Sequence, residues 1–216
     1  MNEIGNYRFP KKALISVAGT VGIGKTTFAK ALAKKLDYQT SLEKVDGNPY
    51  LDDFYRDFKR WVFHLQIYFL AERFKEHKRI QESPFGFVQD RSIYEDTGIF
   101  AHMHYEKGNM LAKDYHTYRD LFEAMVMTDT FHKPDVLIYL DGSFEKILER
   151  IQARGREMEK QTSIDYWKDM LERYRVWIDD FHECPVVRVN IDDYDLREKT
   201  DSLDPILEKI SQVLHA

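Results

Sequence analysis

Eight consecutive residues, Gly19-Thr20-Val21-Gly22-Ile23-Gly24-Lys25-Thr26, match the pattern G-x-x-x-x-G-K-[ST] without departure. In that pattern the glycines let the backbone curl so that successive N–H groups point at phosphate oxygens. The lysine reaches the β- and γ-phosphates, and the hydroxyl serves Mg²⁺. Those last two roles fall on Lys25 and Thr26, and with Thr27 the run reads as a nucleoside-triphosphate site. The overlapping Gly22-x-Gly24 is no dinucleotide fingerprint, because Thr27 stands where its third glycine belongs.

Transfer of a phosphoryl group to a hydroxyl needs positioning, charge neutralisation and a group that takes the proton. Glu43, in Ser41-Leu42-Glu43-Lys44-Val45, is the candidate for the last task. A carboxylate there suits a neutral hydroxyl acceptor and would repel the dianion of a monophosphate. In Asp90-Arg91-Ser92, Asp90 can join the Mg²⁺ shell or cap a helix, and Arg91 can bridge the carboxylate and the transferred group. Gln66 interrupts the apolar run Leu65-Gln66-Ile67-Tyr68-Phe69-Leu70-Ala71, and Arg73 follows two helical turns later on nearly the same face. That pair either reads the polar edge of a nucleobase or satisfies a neighbouring helix. Arg150, Arg154 and Arg156 cluster around Gly155 and resemble a lid that closes over polyphosphate. His102-x-His104 lacks a third metal ligand nearby, and Cys184 has no base partner, so both read as structural.

These residues need a scaffold, and the apolar pattern supplies one. Leu14–Ala18 reads as a buried strand ended by Gly19, with a helix from Lys25 to Leu36. Further strands are expected over 38–43, 85–88, 135–141 and 186–191. The remaining expectations are a turn at Asp46-Gly47-Asn48-Pro49, a long helix from Phe58 to Glu82, and helices near 93–107, 114–128, 143–153, 163–181 and 201–214. Short apolar strands alternating with helices indicate an α/β fold with a parallel sheet covered on both faces. Ligands in such sheets gather beyond the carboxyl ends of the strands, where Glu43 and Asp90 fall.

Composition narrows the function. The chain has 216 residues, read as one domain over 1–216, and 43% of them are hydrophobic, enough for a substantial core. With 32 Lys+Arg against 37 Asp+Glu the formal net charge is −5, which argues against tracking nucleic acid or an anionic membrane. One cysteine excludes an internal disulfide, and the first residues lack a secretory h-region, so a reducing cytoplasm is expected. The absence of Asn-Lys-x-Asp argues against a GTPase switch. A small-molecule phosphotransferase is the best class. A nucleoside-monophosphate kinase of the thymidylate type and a non-catalytic ATP-binding switch are the alternatives.

Taken together, the phosphate loop, Glu43-Lys44-Val45, Asn48-Pro49, Arg60-Trp61, Leu65-Gln66-x-Tyr68, Asp90-Arg91-Ser92, Asp96 and Arg154-Gly155-Arg156 resemble the deoxyribonucleoside kinase family. The likeness is strongest to its bacterial deoxyadenosine/deoxycytidine and deoxyguanosine kinases, and runs from Ile15 to about Tyr194. It implies a five-stranded parallel sheet surrounded by helices and a homodimer joined by a helical bundle. ATP and Mg²⁺ would be used to phosphorylate a deoxynucleoside, deoxyadenosine first, then deoxycytidine or deoxyguanosine. It further implies that Glu43 takes the 5′-hydroxyl proton, supported by Arg91, and that Asp90 belongs to the metal shell. Gln66, Arg73 and Asp96 would contact the base edge, Tyr55 and Glu159 the sugar 3′-hydroxyl, and Trp61 would wall the base pocket. Lys44 stands where many relatives have proline, and Asp192-Asp193-Tyr194-Asp195 matches the adenine-side loop only loosely.

Overall fold

The computed structural model describes residues 2–43, 45, 47–128, 131–194 and 203–215; Lys44, Asp46, Asp195, Asp201 and Ser202 lie outside them. At its centre is strand β3 (Leu14–Ala18), whose five side chains are all buried, as expected of a strand covered on both faces. Strands β4 (Gln39–Ser41), β5 (Phe87–Asp90), β6 (Val136–Asp141) and β7 (Val186–Asn190) join it in one sheet of order β4-β5-β3-β6-β7, parallel throughout. The order changes direction at β3, which lies between β5 and β6, so a crevice opens there beyond the strand ends.

Register decides what faces that crevice. Val17 pairs with Asp90, and Ala18 with Tyr139, so Asp90-Arg91-Ser92 leaves the sheet beside the loop that begins at Gly19. Ser41 pairs with Gln89, which carries Glu43 to the same edge two residues later. Around the sheet pack α1 (Lys25–Leu36), α2 (Leu51–Arg56), α3 (Phe58–Glu82), α6 (Ala112–Val126), α7 (Phe144–Arg154), α8 (Glu157–Lys160), α9 (Ile164–Asp179) and α10 (Asp204–Leu214). Buried positions of α3 are Val62, Leu65, Gln66, Leu70, Arg73, His77 and Ile80, spaced three or four apart except for the adjacent Leu65 and Gln66, so one face carries both apolar and polar groups inward. No helix among the described residues is long and apolar enough to cross a membrane.

Several elements differ from the sequence expectation. An N-terminal hairpin, β1 (Asn2–Ile4) with β2 (Tyr7–Phe9), and the short helices α2 and α8 carry too few apolar repeats to stand out. β5 starts at Phe87 rather than Phe85, whose ring is exposed. Gly86 instead packs on Tyr38, where a Cβ would come within 2.7 Å of the ring. Asp90 is therefore the last strand residue rather than lying two residues beyond the strand. The stretch expected as one helix over 93–107 is α4 (Ile93–Glu95), a π-helical turn (Asp96–Ala101) and α5 (His102–Glu106). A capping box starts it: Glu95 accepts from Ser92 N, and the Ser92 hydroxyl faces the same carboxylate.

The π-helical turn fits tightly on α9. A Cβ at Gly98 would lie 2.5 Å from Trp177 Nε1, part of a rigid ring. Overpacking of this kind costs about 1–3 kcal/mol, and a protein of this size loses about 2–4 °C per kcal/mol. Gly98→Ala is therefore expected to lower the thermal midpoint by about 2–12 °C, measured by circular dichroism.

Candidate active site

The loop between β3 and α1 curls through residues with positive φ, Gly22 at 82° and Gly24 at 103°, the latter directly preceding the helix. At Gly22 the backbone also meets α7 so closely that a Cβ would lie 2.6 Å from Ile151 and 2.9 Å from the Ile147 carbonyl. The Lys25 ammonium donates to the carbonyls of Gly19 (2.7 Å) and Thr20 (3.0 Å). Burial lowers its pKa to about 8, with Arg91 adding to the shift and Asp90, Glu95 and Glu43 opposing it. Thr26 Oγ1 donates to Asp90 Oδ2 at 2.5 Å, so the loop hydroxyl and the strand-end carboxylate meet as the sequence expects. Asp90 Oδ1 is buried with no hydrogen-bond partner among the described residues.

Across the crevice, Arg73 of α3 ties four groups together. Its Nε donates to Asp96 Oδ2 (2.6 Å), its Nη2 to Glu43 Oε1 (2.7 Å), and its Nη1 to the carbonyls of Arg91 (3.2 Å) and Asp90 (3.5 Å). Arg91 Nε lies 2.9 Å from the same Glu43 oxygen, while its guanidinium covers the Phe100 ring at 4.7 Å. Burial resists charge on Glu43, but Arg91, Arg73 and Lys25 outweigh it and bring the pKa to about 2, so the group is a carboxylate at neutral pH. At Asp96 the balance goes the other way. Burial raises its pKa to about 6, although Arg73 and Arg91 pull it down. Two carboxylates on one guanidinium thus have opposite tendencies.

A cavity of about 330 Å³ joins the two sides, lined from the phosphate loop (Val21, Gly22, Ile23, Gly24, Lys25, Thr26, Thr27) to Gln66 and Asp96. Gln66 is buried, and its Oε1 has no hydrogen-bond partner among the described residues, as expected of an amide aimed at a ligand. Arg73 stands behind Glu43 and Asp96 and contacts the cavity through them. Tyr55, Glu43, Arg91 and Glu159 line it, as do Arg150, Arg154 and Arg156. Arg150 donates to the Ile23 carbonyl (2.7 Å). Arg154 donates twice to Glu159 Oε2 (3.0 and 2.6 Å), and Arg156 donates to Oε1 (3.2 Å). Burial, reinforced by Glu159, raises the pKa of the Tyr55 phenol. Gly19 and Thr20 supply the lysine's acceptors from just behind the lining.

Trp61 is not on the cavity wall. It packs against Tyr50 and His64, with Arg60 over its ring at 5.2 Å. The reason is angular: at about 100° per residue, a residue five positions before Gln66 points about 140° away from it, whereas Arg73 points within about 20°. The aromatic wall is instead Phe54, Tyr55, Phe69, Phe100 and Tyr166. His104, part of the weak His-x-His pair, is buried between Asn109 (3.1 Å) and Tyr166 (3.3 Å). No cluster of three or more His, Cys, Asp or Glu side chains suited to a metal occurs among the described residues. Burial raises Cys184 to about 12, consistent with an inert thiol. Two buried groups behind Arg91, Glu95 and Tyr174, escaped the sequence reading. The Ser92-x-x-Glu95 spacing was the available signal for the first.

Fold and cavity together define a class: a phosphotransferase that holds a nucleoside triphosphate on a phosphate loop. The family model described as deoxynucleoside kinase matches residues 15–215. A deoxyadenosine/deoxycytidine kinase of Bacillus subtilis is 61% identical over 209 residues, covering 97% of this chain and 96% of the relative. A deoxyadenosine kinase of Dictyostelium discoideum is 40% identical, covering 94% and 78%. The structure of deoxyadenosine kinase from M. mycoides with bound dATP superposes with a TM-score of 0.79 at 31% identity, covering 91% of this chain and 98% of that one. The chain belongs to the deoxynucleoside kinase family. It is an ATP-dependent deoxynucleoside kinase, and its fold is that of the family.

The Asp96 shift has a kinetic consequence. As pH falls through about 6 the carboxyl takes a proton, Arg73 loses that ionic partner, and this part of the cavity wall changes its donor pattern. For the wild-type protein kcat/KM for the deoxynucleoside is expected to fall on the acid side of about pH 6. Asp96→Asn should lack that step, as read from a pH–rate profile.

Proposed function

We propose that the preferred acceptor is deoxyadenosine, with deoxycytidine second and deoxyguanosine third, and that the product monophosphate feeds nucleotide salvage. The observation that carries the reaction is Glu43, a carboxylate held ionised by Arg73 and Arg91 in the same cavity as the phosphate loop. The names borne by the Bacillus and Dictyostelium relatives support the order of acceptors. The polar edge formed by Gln66 and Asp96 offers a donor and acceptors that suit adenine, cytosine or guanine, so it supports a nucleobase there without ordering the three.

In this reading the nucleoside lies between α3 and the π-helical turn, its base against Gln66 and the aromatic wall. Tyr55 and Glu159 hold the sugar, and Glu43 faces the 5′-hydroxyl. The phosphate loop binds ATP through its backbone amides and Lys25, and Arg150, Arg154 and Arg156 lie over the same space. Phosphoryl transfer is largely dissociative, so the hydroxyl becomes acidic only as the new bond forms. A weakly basic carboxylate that is always ionised can then take the proton late. Mg²⁺ would be held by Thr26 and Asp90, both hard oxygen donors, and the unpartnered Asp90 Oδ1 fits that role. When bound, the ion neutralises charge on the phosphates. The reading extends to a homodimer working in the cytoplasm.

Loss of a general base costs typically about 10²–10⁴-fold in rate. Glu43→Gln is expected to lose turnover on that scale while keeping much of its nucleoside affinity. The assay is transfer from radiolabelled ATP to a panel of deoxynucleosides and their monophosphates. Undiminished turnover in Glu43→Gln removes the residue from the chemistry. Transfer to monophosphates alone would overturn the choice of acceptor.

A further inference from the structure

We propose that Tyr174, on α9, is a positioning residue for phosphoryl transfer: its buried phenol couples Arg91 to Glu95 and so holds the Arg91 guanidinium against Glu43. The inference rests on the reading of Glu43 as proton acceptor and adds a residue that touches no substrate.

Arg91 is held in an unfavourable way by its own backbone. At φ 75° it is one of two non-glycine residues among those described with positive φ, so local chain preference does not fix its side chain. Its orientation comes from what surrounds it. Phe100 lies under the guanidinium, Glu43 lies 2.9 Å from Nε, and Nη1 donates to the Tyr174 hydroxyl at 2.5 Å. The phenol is an acceptor in that bond and a donor in the next, to Glu95 Oε1 at 2.8 Å. The same oxygen accepts from Gly19 N (3.3 Å) at the start of the phosphate loop, and Glu95 Oε2 accepts from Ser92 N (2.7 Å).

All three side chains are buried, so water does not substitute for a lost partner. Glu95 Oε1 is 3.6 Å from Arg91 Nη1, too far for a direct hydrogen bond in place of the phenol. The two charges form an ion pair without a hydrogen bond of its own, and the hydroxyl supplies the hydrogen bonds that fix its geometry. The chain Gly19–Glu95–Tyr174–Arg91–Glu43 connects the triphosphate side of the cavity to the acceptor side. The Tyr174 ring is fixed independently, edge-on to Phe100 and Trp177 and stacked on Tyr139. Removing only the oxygen therefore leaves the packing intact.

The test compares Tyr174→Phe with Tyr118→Phe. Tyr118 is an equally buried phenol, bonded to Thr97 at 3.3 Å and not linked to Arg91. A hydrogen bond to a charged group is worth roughly 10- to 100-fold. Tyr174→Phe is expected to lower kcat at least about tenfold, with KM for ATP and for deoxyadenosine changed less than about threefold. In a Glu43→Gln background Tyr174→Phe should add almost nothing, because the group it positions no longer works. Glu95→Gln leaves the ring and an acceptor oxygen in place but removes the charge at the other end, so it weakens the coupling and should give a smaller kcat-selective loss even if Tyr174→Phe folds poorly. A Tyr174→Phe enzyme as active as Tyr118→Phe would overturn the proposal. So would a loss that appears in KM, or one that persists in full in the Glu43→Gln background. Full turnover by Glu43→Gln alone would remove the reading beneath it. Full loss in Glu43→Gln with no effect of Tyr174→Phe would remove only the role of Tyr174.

Discussion

Everything in the site depends on one cost, that of keeping charge out of water. Lys25, Arg73, Arg91, Asp90, Glu95 and Asp96 are all buried, and Glu43 is nearly so. An unpaired buried ion costs several kcal/mol, and only pairing with good geometry offsets it. The fold meets that cost by gathering the charges at one place, the carboxyl ends of β4, β5 and β3, where acids and bases alternate. Arg73 is the pivot, because its three nitrogens reach α3's neighbour strand, the Glu43 loop and the π-helical turn together. A hydrophobic cluster of the same volume would be at least as stable. It could not hold one carboxylate ionised and another close to neutrality.

That cluster also explains how an acidic protein handles a polyanion. The net charge of −5 is a sum over the whole chain, whereas the nucleotide would meet Lys25, Arg91 and the three arginines around Gly155. Arg154 and Arg156 are tied to Glu159, a buried carboxylate that keeps these cations in place within the lining. The aromatic residues divide in the same way. Five form a slot suited to a flat ring, and many of the others, such as Phe9, Phe87 and Tyr139, fill the core between sheet and helices.

Much of this could be read from the chain because the decisive groups sit at strand ends or on regular helices. The phosphate loop follows a strongly apolar strand. Glu43 follows the next strand and Asp90 ends another, and Gln66 and Arg73 share a face by simple helical spacing. What escaped was governed by long-range packing. At the π-helical turn Gly98 meets Trp177, about 80 positions along the chain and out of reach of local patterning. Trp61 faces away from the slot although its neighbours Leu65 and Gln66 line it. Tyr174 reaches Arg91 from a helix whose own pattern announces only an apolar face.

Arg91 leaves a lasting mark on how this position can change. Left-handed backbone there costs an L-residue about 1–2 kcal/mol, a penalty that glycine escapes and that asparagine or aspartate would soften. None of those three carries a guanidinium. Relieving the backbone at residue 91 and keeping a guanidinium beside Glu43 are therefore opposite demands on one codon, and a library ranked on stability alone would discard the arginine.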